Sequence, residues 1–236
     1  MEFLKYINFL SETLPFIFLL VFYKRITSKD KRIFFAYALL TSILIILVIT
    51  FLYVINNRDA YIITARTHTV IEFSLLTYLF SISLKNKAIK KIALFAIIPF
   101  FLLCVFDYIS TKNPSIAYIP LLTECLFFII LILYFFFEKI RQDPNEALFA
   151  TFLFWFAVAF LINFSGNFLL FVYSETSNKE PDFKVNYTII YCTVTIVKNI
   201  LLCIAVTMKE SVTIKDNIND KMLHTFDPVA FYPDKN

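Results

Sequence analysis

Glycine is nearly absent from this chain, since Gly166 is the only one in 236 residues. Phosphate-binding loops of the G-x-x-x-x-G-K-[ST] type and G-x-G-x-x-G dinucleotide turns each need more than one glycine. Both motifs are therefore excluded. The chain also lacks a glycine-based small-xxx-small seam, which many membrane helices use for close packing.

Charged residues are scarce as well. They make up 17% of the chain, whereas hydrophobic residues make up 59%, and the mean hydropathy is +0.74. Soluble globular domains are about half apolar and about a quarter charged. A soluble globular protein is therefore excluded. No stretch has a soluble composition, so the sequence predicts a single membrane domain.

Histidine is rare, because only His68 lies in an apolar run and His224 lies in the C-terminal tail. Zinc-dependent seven-helix hydrolases need several histidines. Rhomboid-type proteases need a G-x-S motif with a membrane histidine, which Ser165 and Gly166 do not supply. The four cysteines lie in apolar runs without C-x-x-C spacing, and we expect them to be buried free thiols. They are Cys104, Cys125, Cys192 and Cys203. We therefore expect neither an enzyme nor a metal site.

Seven apolar runs reach or approach the roughly 20 residues that a spanning helix needs. They are about 4–23, 33–55, 67–84, 92–109, 117–137, 147–173 and 185–207. The fourth run is the weakest, because it is short, contains Pro99 and ends in Asp107. These runs predict an all-α, polytopic membrane protein, with a seven-helix transmembrane domain over 1–207 and a short tail over 208–236.

Lysine and arginine are distributed unevenly between the two sets of connections. The 24–32, 85–91 and 138–146 loops and the tail carry 15 of them, whereas the other side carries 6. The positive-inside rule applies to short loops. It predicts an N-terminus outside and a cytoplasmic C-terminus. We expect the basic loops to attract anionic lipid, and no basic domain suited to nucleic acid is present.

Polar residues of several runs fall at the same depth in the outer half, counting 1.5 Å per residue. Three carboxyls lie roughly 8–12 Å from the outer end on the first, third and fifth helices: Glu12, Glu72 and Glu124. His68 shares a face with Glu72. The sixth helix brings Asn163 and Asn167 to the same layer, because residues four apart share a helical face.

The seventh helix carries Lys198 near its middle, roughly 18–20 Å from the outer end. A charge at that depth is costly, and an intramembrane ionisable residue suggests a functional site by default. The residues on its stripe follow helical spacing: Tyr187, Tyr191, Thr195 and Lys198, with Asn199 at the edge. We expect a polar pocket closed at its base by Lys198, whose ammonium meets Glu72 or Glu124 directly or through water, or is deprotonated.

A structural interpretation of this layer has equal weight. Buried polar side chains also hold membrane helices together, at about 0.6–2 kcal/mol per hydrogen bond. Glu12 and Glu72 lie close enough to the interface to snorkel towards it. The sequence therefore leaves open whether the layer binds a ligand or ion, or serves helix packing alone.

Seven helices with Lys198 on the seventh and Glu72 on the third resemble a microbial rhodopsin. In that family the lysine forms a Schiff base with retinal, and a helix-3 carboxylate is its counter-ion. This chain departs from the family at Val194, where an acidic residue is usual. Its sixth helix also has no proline after Trp155. We therefore expect no retinal on Lys198 and no other cofactor.

Across most of its length, the chain more closely resembles uncharacterised bacterial seven-helix membrane proteins. The segments that carry the resemblance are THTVIEFSLLTYLF, FLINFSGNFLLF and IVKNILL. Some such proteins look like the membrane sensor parts of signalling systems with the kinase domain removed. The resemblance implies a sensor-like protein and no established activity.

Together these features predict a non-enzymatic, multi-pass protein of the inner membrane that acts as a receptor or sensor. A small extracytoplasmic ligand would bind the polar layer, and a cytoplasmic signalling partner would detect the change. The second possibility is an ion or proton conductor or transporter that uses the same charges as a relay. The third is an oligomeric membrane effector or accessory protein of a defence system. The expected partners are the lipid bilayer, the small ligand or ion and the signalling protein.

Overall fold

A computed structural model describes residues 2–26, 28–110, 118–142, 148–177 and 183–208. Over these residues the chain is helical, which confirms the all-α prediction. The α-helices are α1 (Glu2–Val21), α2 (Lys29–Ile49), α3 (Arg58–Ser83), α4 (Lys87–Phe95), α5 (Ile97–Ser110), α6 (Tyr118–Gln142), α7 (Phe152–Ser177) and α8 (Phe183–Thr207). The predicted tail after Met208 lies outside the described residues.

Polar capping residues fix the starts of three helices. Ser28 caps α2, Asn57 caps α3 and Asn86 caps α4, in each case through a side-chain oxygen that accepts backbone N–H groups. Such caps satisfy donors that have no partner inside the helix. The Asn57 cap also explains why α3 begins at Arg58, nine residues before the apolar run 67–84. The early turns of α3 are polar, so hydropathy alone does not reveal them.

The fourth predicted run is two consecutive helices. α4 ends at Phe95, α5 begins at Ile97, and Ala96 lies between them. Pro99 is the third residue of α5, and proline has no N–H to donate to the carbonyl four residues earlier. The interruption therefore falls where the α-helical hydrogen bond of Pro99 would have been. Earlier in the chain, α2 continues directly into a π-helical segment over Thr50–Val54.

Five helical stretches of the described chain are long and apolar enough to cross a membrane. They are Lys29–Val54, Lys87–Ser110, Ile119–Arg141, Phe152–Tyr173 and Val185–Thr207. The apolar part of α1 is shorter, at Tyr6–Val21. α3 is long but carries several charged residues. The structure therefore supports a membrane protein with five clear candidate spans.

The helices form a bundle in which α3 packs against α2, α4, α5 and α6, whereas α8 packs between α1 and α7. One end of this bundle carries residues 22–26 and 84–86 together with Met208, and we call it the basic end. The other is called the distal end. At the basic end, the buried Glu138 accepts the backbone N–H groups of Lys85 and Asn86, each at 2.9 Å. That carboxylate fixes the turn between α3 and α4.

An aromatic core fills the basic half and the centre of the bundle. Its fully buried members are Phe34, Phe73, Phe80, Phe128, Phe135, Phe156 and Phe160. The rings contact one another across helices, as with Phe34 and Phe156 at 5.3 Å between centroids. Aromatic pairs at this separation add to the stability that burial gives. The interior of the bundle is therefore apolar at these positions.

Candidate functional site

A cavity of about 490 Å³ lies in the distal half of the bundle. Side chains from α1, α2, α3, α6, α7 and α8 line it. Among the predicted site residues, those lining it are Glu12, His68, Glu72, Glu124, Asn163, Asn167, Tyr187, Tyr191, Thr195 and Lys198. Asn199 instead lines a second cavity of about 10 Å³, which also touches Glu12 and Lys198. The polar residues that the sequence placed in one layer therefore share a real space.

Glu72 is held from two sides. Tyr37 on α2 donates a hydrogen bond from its hydroxyl to Oε1 of Glu72, at 2.8 Å. His68, one turn earlier on α3, places Nδ1 3.6 Å from Oε2 of the same carboxyl. Sequence reasoning missed Tyr37, because a tyrosine does not stand out in the apolar run 33–55. The signal was its hydroxyl, which needs a partner when the side chain is buried.

Glu12 belongs to a polar contact between α1 and α8. Asn8 donates from Nδ2 to Oε1 of Glu12 at 3.5 Å. One turn away, Nδ2 of Asn199 donates to the hydroxyl of Ser11 at 3.0 Å. Ser11 in turn donates to the carbonyl of Asn8 at 2.7 Å. Asn199 thus joins two helices, which is the structural role that the sequence left open for residues of this layer.

Arg66 also lines the cavity, although the sequence suggested only a topological role for it. Its Nη1 lies 2.8 Å from Oδ2 of Asp107 on α5. The guanidinium also lies 5.2 Å from the centre of the Tyr108 ring. The charge of Arg66 is therefore paired with the carboxylate of Asp107, which does not line the cavity.

Lys198 lies at the base of the cavity, where the polar lining meets the aromatic core. Its side chain is only 8% exposed. Nζ lies 6.0 Å from the centre of the Phe160 ring. Within the described chain, no hydrogen bond or ion pair joins this ammonium to Glu72 or Glu124. The expected direct contact is therefore not formed, and a link through water stays a prediction.

Glu124 on α6 is the most deeply buried of the three carboxyls, at 3% exposure. Its Oε1 has no hydrogen-bond partner among the residues that the structure describes. A buried carboxylate without a partner is costly. Glu124 lines the cavity, so a ligand there can contact a carboxyl that the described residues leave unused.

The wall between α6 and α8 comes from α7. Nδ2 of Asn167 donates to Oδ1 of Asn163 at 3.4 Å, and both amides line the cavity. On α8, the rings of Tyr187 and Tyr191 stack with centroids 6.3 Å apart. Gly166 lets α7 and α8 approach closely, since a Cβ there would lie 2.7 Å from Cγ2 of Val194.

The described part of the chain contains no group of three or more His, Cys, Asp or Glu residues placed to hold a metal ion. The cavity instead offers opposite charges, amides and phenolic hydroxyls around a space of small-molecule size. Known ligand pockets occupy about 300–1,000 Å³ and combine an apolar lining with a few polar groups.

The chain matches no family model, no curated protein and no solved structure.

Proposed function

We propose that this chain is a non-enzymatic, receptor-like integral membrane protein that binds a small polar ligand in the distal cavity. The observation that carries the proposal is that two buried ionisable side chains, Glu124 and Lys198, line one cavity. Oε1 of Glu124 has no hydrogen-bond partner among the described residues, and no hydrogen bond or ion pair within the described chain engages Lys198. Structural glue would leave such groups bonded to each other or to a neighbouring helix. A ligand supplies the missing partners.

The proposal includes insertion into a membrane with seven spans and with the basic end in the cytoplasm. α1 and α3 complete the bundle through their packing against α8 and α2. The polar groups of α3 that weaken its hydropathy, including Arg66 and Glu72, have partners inside the bundle. The charge asymmetry then orients the cavity towards the outside of the cell, in the inner membrane of a bacterium.

The aromatic core disfavours the alternative of an ion conductor. A relay needs polar groups through the whole thickness of the membrane. In the basic half, the interior positions of the described chain include Phe34, Phe80 and Phe156, all fully buried. These rings lie between the cavity and the basic end, and the buried polar residues of that half include Thr77 and Ser81.

The outer faces of the helices disfavour the oligomeric effector. Assembly in a membrane favours small or polar residues at the helix contacts. The exposed positions of the described spans include large apolar side chains such as Ile46, Leu133 and Ile200. Such faces suit lipid.

A thermal-shift screen of the purified full chain in lipid nanodiscs, against a library of small polar metabolites, tests the proposal. At least one compound should raise the unfolding temperature. Thr69→Trp, which fills the cavity, should abolish that shift. Thr67→Trp is the matched control, because Thr67 lies on the same helix and is exposed. A library without any stabilising compound, or a shift that survives Thr69→Trp, would refute the cavity as the binding site.

A further inference from the structure

We propose that the ligand is a small zwitterion of the amino-acid class, with its ammonium on Glu124 and its carboxylate on Lys198. This inference rests on the proposed function, since it names the chemistry of the ligand in the same cavity. It follows from which charges of the lining are already engaged inside the protein.

Most charges around the cavity have partners. Glu72 accepts the hydroxyl of Tyr37 and contacts His68. Arg66 pairs with Asp107. Glu12 accepts the amide of Asn8 and shares the small second cavity with Lys198.

Glu124 and Lys198 are different. Glu124 is 3% exposed and Lys198 is 8% exposed, and both line the cavity. They lie on α6 and α8, on either side of α7, and no hydrogen bond or ion pair joins them within the described chain. The cavity therefore presents a carboxyl and an amine that a single ligand can contact together.

The two opposite charges discriminate between classes of ligand. A simple anion placed on Lys198 leaves Glu124 unpaired. A simple cation placed on Glu124 leaves Lys198 unpaired at the base of the cavity. Only a ligand with both charges engages both groups, and a buried polar group without a partner is costly.

The rest of the lining suits the body of such a ligand. The amides of Asn163 and Asn167 come from α7, which lies between the two charged residues in the bundle. Leu121, Phe164 and Phe171 provide apolar surface for a side chain. The cavity of about 490 Å³ lies within the range of small-molecule sites. An amino acid with an apolar side chain fits these groups best.

Binding to the full chain in nanodiscs, measured by calorimetry, tests this proposal. The probes are the standard L-amino acids. For L-leucine and L-phenylalanine, the amine that lacks the carboxylate and the acid that lacks the ammonium are also measured. An amino acid should bind at least about tenfold more tightly than its amine or its acid, since each loses one charge-assisted hydrogen bond.

Two variants test which residue binds which charged group of the ligand. Glu124→Gln and Lys198→Met should each weaken amino-acid binding by about 10- to 100-fold. Lys198→Met should also remove the preference for the amino acid over its amine, and Glu124→Gln the preference over its acid. The exposed residues Asp59 and Lys85 give the matched controls Asp59→Asn and Lys85→Met, which should bind normally. Glu12→Gln should have a smaller effect than Glu124→Gln.

The possible failures are distinguishable. An amine that binds the unaltered protein as tightly as its amino acid would show that Lys198 takes no part. An acid that does so would show the same for Glu124. If no amino acid binds, but a metabolite of another class gives a thermal shift sensitive to Thr69→Trp, the zwitterion proposal falls and the receptor proposal stands. If no compound of any class binds, both fall.

Discussion

Arg66 on α3 and Asp107 on α5 form an ion pair, with 2.8 Å between Nη1 and Oδ2. The side chains are 13% and 8% exposed, so both charges lie largely away from solvent. Much of α5 faces outward, since Leu102 and Phe106 are exposed. The ion pair therefore fixes the position of α5 against α3. It also holds the guanidinium of Arg66 at the wall of the cavity.

Breaking this pair should destabilise the protein. Removing one partner of a buried ion pair leaves an uncompensated charge and costs about 3–5 kcal/mol. Arg66→Met and Asp107→Leu should each lower the free energy of unfolding by about that amount. Unfolding of the full chain by SDS in mixed micelles, followed by circular dichroism, measures the change. The double variant should be closer to the unaltered protein than either single variant, because neither charge is then stranded. Additive losses would show that the pair is not coupled.

Gly166 should be intolerant of a side chain. A Cβ there would lie 2.7 and 2.9 Å from the two methyl carbons of Val194. Val194 is β-branched and has little freedom to move aside. Gly166→Ala should therefore separate α7 from α8 and cost about 1–3 kcal/mol, the usual range for overpacking. The loss appears as a lower unfolding temperature.

Val194→Ala in the Gly166→Ala background provides the control for that prediction. Removing the two methyl groups makes room for the new Cβ, so the double variant should regain most of the lost stability. A double-mutant cycle with no coupling between the two positions would contradict the close approach of α7 and α8.

The carboxyls of the cavity should differ in what they contribute to stability. Glu72 accepts a hydrogen bond from Tyr37, whereas Glu124 has a buried oxygen without a partner in the described chain. Glu72→Gln should therefore lower the unfolding temperature. Glu124→Gln and Lys198→Met should leave it unchanged or raise it, because each removes a buried ionisable group that no hydrogen bond or ion pair of the described chain engages.

The contact between Lys198 and Glu124 that the sequence analysis expects would make Glu124→Gln destabilising, because the ammonium would lose its partner. The absence of a direct contact between them changes that expectation. Thermal unfolding of the three single variants in the absence of ligand decides between the two. A marked loss of stability in Glu124→Gln would restore the idea of a structural charge pair.

The orientation of the chain is testable by cysteine accessibility in intact cells. The four native cysteines are buried, so the unaltered protein should not react with an impermeant maleimide. Arg58→Cys places a thiol at the exposed distal end, and it should react. Lys87→Cys places one at the exposed basic end, and it should react only after the cells are opened. Labelling of position 87 in intact cells would reverse the orientation and direct the cavity towards the cytoplasm.

Helix geometry explains why so much of the cavity lining was predictable. The rise per residue is constant, so counting from the ends of the runs placed Glu12, Glu72 and Glu124 at one depth. The stripe from Tyr187 to Lys198 followed from helical spacing in the same way. Both arguments need only the position of a residue along its own helix.

The contacts between helices were not predictable, because they depend on how each helix is rotated against its neighbours. Tyr37 meets Glu72 across such an interface. In the sequence, Lys31 is one of the basic residues of the 24–32 loop. In the structure its side chain is only 2% exposed and donates from Nζ to the carbonyl of Met208 at 3.0 Å. The position of a residue along its helix determines its depth in the bundle, whereas the packing of the helices determines which neighbour its side chain contacts.

The change of side-chain size along the bundle has a consequence for the shape of the interior. In the basic half, phenylalanine rings such as Phe80 and Phe156 fill the space between the helices. In the distal half, shorter or polar residues such as Thr41, Thr195 and Asn163 line the cavity. The cavity thus lies where these side chains take the place of the aromatic rings.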